Sequence, residues 1–128
     1  MGYRSDVRII TTKEGFQKLK EFSNNFLQEL GEDKLQLDLM ETLEVSKITG
    51  NQVYFGWDYL KWYYDYDDVK AIEKGLDYLE ENDYSYRFAR MGESYDDYDE
   101  RAFDSDNKIE EQGLDYPSIT RCFDDEVF

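Results

Sequence analysis

A chain of 128 residues suits one domain and is too short for two ordinary ones, and with 40% apolar and 17% aromatic residues it is too rich in rings for an acidic disordered tail. Its 31 Asp and Glu against 15 Lys and Arg give a net charge of −16, a field that repels nucleic acid and anionic membranes, attracts basic protein surfaces, and also serves solubility. There is no histidine and a single cysteine, Cys122, which excludes histidine triads, histidine metal sites, an intramolecular disulfide and a cysteine zinc cage.

In chain order, residues 3–11 alternate, with Tyr3, Ser5, Val7 and Ile9 on one face and Arg4, Asp6, Arg8 and Ile10 on the other. This predicts a strand with one packed and one largely wet face. Thr11 and Glu14 match a capping box opening a helix over 12–30, with Phe16, Leu19, Phe22, Phe26, Leu27 and Leu30 at helical spacing and Gly31 as the stop. Residues 32–42, with Leu35, Leu37 and Leu39 alternating, read as a strand or a short helical turn. Strand-like runs 43–48 and 52–57 flank Thr49-Gly50-Asn51, a hairpin signal, and place Val53, Phe55 and Trp57 on one face.

A second helix is expected over 66–82, opened at Asp65 or Tyr66, with Asp67 and Asp68 at the positive end of its dipole. Its stripe is Val69, Ile72, Leu76 and Leu79. Residues 84–91 read as a strand with Tyr84, Tyr86 and Phe88 on one face. The order β-α-β-β-α-β predicts an α+β fold, a ferredoxin-like, four-stranded antiparallel sheet with both helices on one face. Residues 1–91 form that core. Residues 92–128 are an acidic extension of 13 acidic against 3 basic groups, densest over 93–106, where a long irregular arm is expected. A short edge strand over 118–123 would follow Pro117.

The expected chemistry is mostly absence. No phosphate-cradling glycine loop occurs, no cofactor or catalytic residue is expected, and Cys122 reads as a structural thiol. Asp104-x-Asp106, with Glu110 or Asp115 beyond, resembles the start of a calcium loop. However, Ile109 stands where the turn needs glycine and Lys108 where an oxygen ligand belongs; Asp97-x-Asp99 fails likewise, so no metal site is expected. An RNA-binding sheet face carrying Tyr54 with Arg8 or Arg87 is opposed by the charge and by the lack of an aromatic RNA-binding signature. In the run Trp57-Asp58-Tyr59-Leu60-Lys61-Trp62-Tyr63-Tyr64-Asp65-Tyr66, Trp57 reads as core, and Tyr59, Tyr63, Tyr64 and Tyr66 read either as the rim of that core or as an adhesive patch.

Gly2-Tyr3-Arg4-Ser5-Asp6-Val7, the Trp57-Asp58-x-x-Lys61-Trp62-Tyr63 run and Arg90-Met91-Gly92-Glu93 before an Asp-rich stretch resemble a family of small acidic phage and prophage proteins. The resemblance implies work in a host-cell cytoplasm and no catalytic residues; by analogy it points to anti-defence inhibitors of the anti-CRISPR type. The expected function is non-enzymatic binding to a host protein with a basic, nucleic-acid-binding surface, without direct contact to nucleic acid or membrane. Carboxylates of Asp65, Asp67, Asp68, Glu93, Asp96, Asp97, Asp99, Glu100, Asp104 and Asp106 would replace phosphates, and Tyr63, Tyr64 and Tyr66 would replace bases. The alternative is a phage accessory or structural protein, compatible with a homo-oligomer, whose acidity serves solubility alone.

Overall fold

The computed structural model describes residues 3–29, 38–94 and 97–105. The elements are β1 (Ser5–Thr12), α1 (Lys13–Glu29), a 3₁₀ turn (Leu39–Glu41), β2 (Val45–Thr49), β3 (Gln52–Leu60), α2 (Asp67–Glu81), β4 (Tyr86–Met91) and β5 (Tyr98–Phe103). The five strands form one sheet in the order β2-β3-β1-β4-β5, every neighbouring pair antiparallel. The molecule is thus α+β, with one strand more in its described sheet than the four expected.

Alternation places Val7 and Ile9 of β1, Val53, Phe55 and Trp57 of β3, and Tyr86 and Phe88 of β4 on one face. They share a single core with Leu19 of α1 and with Val69, Ile72, Leu76 and Leu79 of α2, so both helices cover that face. Phe16 and Phe26 of the α1 stripe are half-buried, and Phe16 packs against the core, meeting the Phe55 ring edge-on at 4.9 Å. The helices approach closely at Gly75, where a Cβ would lie 2.3 Å from Leu19 Cδ1.

Local chemistry sets the element ends. The start of α1 is capped by Thr12, whose Oγ1 accepts from Gly15 N at 3.0 Å; the expected Thr11–Glu14 box does not form. Thr11 points into the protein and its hydroxyl donates to the Ser85 carbonyl at 2.8 Å. The β2–β3 hairpin closes through Gly50-Asn51 with Gly50 at φ 60°, where a type II′ loop takes glycine. α2 ends in a Schellman arrangement: Tyr84 N donates to Leu79 O and Asp83 N to Glu80 O, with Asp83 left-handed at φ 64°.

The second face of β1 is not wet, contrary to expectation. Arg8, Ile10, Tyr54 and Arg87 are all at most 5% exposed, so no open platform of Tyr54 with arginines exists. Arg8 tolerates burial because its guanidinium donates to the Val7 and Trp57 carbonyls at 3.0 Å and pairs with Asp58 at 2.7 Å. A satisfied arginine can leave water where an unsatisfied one cannot. The 93–106 stretch is not an irregular arm either, since β5 occupies its middle and pairs with β4 from Met91↔Tyr98 to Tyr86↔Phe103. The 118–123 strand, Cys122, Leu35, Leu37 and the calcium-loop positions from Asp106 onward lie outside the described residues.

Candidate interaction surface

The start of β1, the end of β3, the loop before α2 and the β4–β5 connection meet at one end of the sheet. The pairing of β1 with β3 slips between Ser5 and Val7, and beyond the slip Tyr59 adopts a left-handed backbone, φ 54°, which is costly for a bulky residue. Its neighbours hold it there. Tyr59 N donates to Asp6 Oδ1 at 2.8 Å, its carbonyl accepts from Arg4 Nη1 at 3.4 Å, and the Arg4 guanidinium sits 5.0 Å from its ring centroid. The Tyr59 side chain is left 70% exposed.

Beside it, Tyr3 N donates to Tyr63 Oη at 2.6 Å and Tyr3 Oη donates to Asp97 Oδ2 at 2.6 Å. Arg4 N donates to Glu93 Oε2 at 2.5 Å. Arg90, buried in the sheet, organises the rest: its guanidinium reaches Asp97 and Asp99 at 2.8 Å each and Ser5 Oγ at 2.9 Å. Tyr64 Oη donates to Asp99 at 3.1 Å, and the Tyr63 and Tyr66 rings meet edge to face at 5.0 Å.

This network fixes the charge states. Burial disfavours the Arg90 cation, but hydrogen bonds to Asp97 and Asp99 outweigh it and hold the guanidinium above its usual range. Hydrogen bonds from Arg90 and then Tyr3 push the Asp97 carboxyl below its ordinary value. Burial, followed by the Asp99 and Glu73 charges, raises the Tyr64 phenol. A carboxylate with a depressed folded pKa contributes stability above its unfolded pKa and loses it as pH falls through the folded one. The stability gap between the natural protein and Asp97→Asn should therefore stay constant from pH 7 to about 4 and shrink below about 4. Urea titrations across that range check it, and a gap that persists unchanged into strong acid would show that Asp97 acts by packing alone.

The structure gathers Tyr63, Tyr64, Tyr66, Asp65, Glu93, Asp97 and Asp99 at this end, with Asp67 and Asp68 following in the first turn of α2. Several of the described carboxylates are engaged within the protein. Asp97 and Asp99 are taken by Arg90, and Asp104, at the far end of β5, pairs with Arg87 at 2.7 Å. Asp68 accepts from Val69 N at 2.8 Å, and its burial raises its carboxyl pKa. Glu100 is exposed on the sheet face turned from the helices, while Asp96 and Asp106 lie outside the described residues. Sequence reasoning missed Tyr3, Arg4, Asp6 and Arg90 as parts of this surface. They reach it only through the pairings Ser5↔Leu60 and Val7↔Arg90, which leave no local signature.

Among the described residues, no group of three or more His, Cys, Asp or Glu side chains is placed to hold a metal ion, and no helix is long and apolar enough to cross a membrane. Comparison of the chain with protein-family models, with curated proteins and with solved structures gives no match.

Proposed function

We propose that this is a non-enzymatic binding protein whose tyrosine–carboxylate rim occupies a basic, nucleic-acid-binding surface of a host protein, as a phage-encoded anti-defence inhibitor of the anti-CRISPR type would. The observation that carries the reading is the clustering of exposed rings at one end of the sheet: Tyr59, Tyr64 and Tyr66 are 70%, 54% and 41% exposed and stand among Asp65, Glu93 and Asp99. Tyrosine supplies contact area with little entropy loss, and the surrounding carboxylates match an Arg- and Lys-lined partner. The rim, rather than a row of carboxylates, carries the recognition. We read the sheet from β2 to β4 as a ferredoxin-like scaffold, with β5 added at its edge to complete the rim.

The test is capture of partners from a bacterial host lysate, followed by competition with nucleic acid and titration of salt. A captured protein should be displaced by its own nucleic acid and should bind at least tenfold more weakly at 0.5 M than at 0.1 M salt, roughly as screening shortens the reach of charge from about 10 Å. Tyr59→Ala and Tyr64→Ala should each weaken binding about tenfold or more, the scale of a hot-spot residue. Glu14→Gln with Glu21→Gln on α1, away from the rim, should leave it unchanged. A partner that tolerates both tyrosine substitutions and high salt would sink the reading and favour the accessory-protein alternative.

A further inference from the structure

Like β2 at the opposite edge of the sheet, β5 lacks a fully buried residue. Each of its residues is exposed or half-buried, whereas β4 beside it is buried along its whole length. Its main apolar contact is Phe103 against the Tyr86 ring at 6.5 Å. In place of apolar burial, six ion pairs tie β5 and its flanks to the body: Arg90 to Asp97 and Asp99, Arg87 to Asp104, and Arg101 to Glu73, Asp77 and Glu80 of α2, all between 2.7 and 3.0 Å. Arg101 also donates to Tyr86 Oη at 2.9 Å, and Tyr86 Oη in turn donates to Glu80.

We propose that β5 is a detachable edge strand, latched to β4 and α2 by arginine–carboxylate pairs, that leaves the sheet as a unit while β1–β4 and both helices stay folded. Apolar burial is insensitive to moderate salt, but pairs whose carboxylates face water are screened. Asp77, Asp99 and Asp104 are 60%, 48% and 63% exposed, so the latch weakens with ionic strength while the core does not. The three guanidiniums are the more sheltered side of the latch, Arg87 and Arg90 being buried and Arg101 half-buried, so the solvent-facing carboxylates are the half that salt reaches. Local opening of this kind draws on the low-stability end of a structure. Opening bares the outer edge of β4, a row of backbone donors and acceptors able to take an added strand.

Native-state hydrogen exchange of the full chain in 0.05 M and 0.5 M KCl tests this. The amides of 98–103 should exchange at least tenfold faster than those of β1 and β3 and should gain a further several-fold in the higher salt, with β1 and β3 unchanged. Arg101→Gln should accelerate 98–103 selectively by about tenfold, and Arg101→Lys, which keeps the charge, by less. Exchange of β5 only together with β1 and β3, or at a rate indifferent to salt, would overturn the proposal. Unfolding of the whole domain by Arg101→Gln would do so too, and the salt series on the natural chain stands independently of how that variant folds.

Discussion

Gly56→Ala should cost about 3 kcal/mol of folding stability or more, at the upper end of overpacking losses. The residue lies in the middle of β3, opposite Arg8 of the central strand. A Cβ at this position would fall 1.9 Å from the Val7 carbonyl oxygen, 2.9 Å from the Val7 carbonyl carbon and 3.0 Å from Arg8 Cδ. The first two atoms are backbone and cannot rotate away, so β1 and β3 would have to part where the sheet is held from both sides. The glycine also makes the room in which the Arg8 stem folds back over the strand, so that its guanidinium reaches the Val7 and Trp57 carbonyls. Urea unfolding with a fixed slope measures the loss. A loss below about 1 kcal/mol would mean that β1 and β3 are not in this register.

The parts of the fold legible in the sequence are those that announce themselves locally. The stripe Val69, Ile72, Leu76 and Leu79 marks α2, the alternation Val53, Phe55 and Trp57 marks β3, and Gly50-Asn51 marks the hairpin; all seven stripe residues are buried. What was not legible depends on partners distant in the chain. Tyr98-Asp99-Glu100-Arg101-Ala102-Phe103 has no apolar alternation because β5 is held by ion pairs, and Arg101 finds Glu73 28 residues away. Thr11 and Thr12 are chemically equal candidates for the cap, and only the turn of β1 into α1 decides that Thr12 faces the helix. The same limit governs the rim: Tyr63, Tyr64 and Tyr66 stand out by composition, but Arg90 and Tyr3 become part of it through strand pairing. Acidity alone did not show that Asp97, Asp99 and Asp104, though partly open to solvent, pair with the buried arginines Arg90 and Arg87.

Trp57→Ala should be the most damaging truncation in the core, at about 4–5 kcal/mol. Trp57 is 1% exposed and joins the two halves of the aromatic cluster, with the Phe55 ring edge-on at 6.2 Å on one side and Trp62 at 5.9 Å on the other. Its Nε1 donates to the Leu39 carbonyl at 2.9 Å, which pins the 3₁₀ turn against the sheet. Trp57→Phe separates the two contributions. The Leu39 carbonyl also accepts from Thr42 N and Thr42 Oγ1, so losing the indole donor leaves no orphaned acceptor. The hydrogen-bond share of the loss should therefore be about 1 kcal/mol, with a further ~1 kcal/mol for the smaller ring. Thermal unfolding of both variants, followed by the near-ultraviolet signal of the remaining Trp62, measures the two losses. If Trp57→Phe costs nearly as much as Trp57→Ala, the indole hydrogen bond rather than ring packing secures the turn; if both cost under 1 kcal/mol, Trp57 is not the core residue its burial indicates.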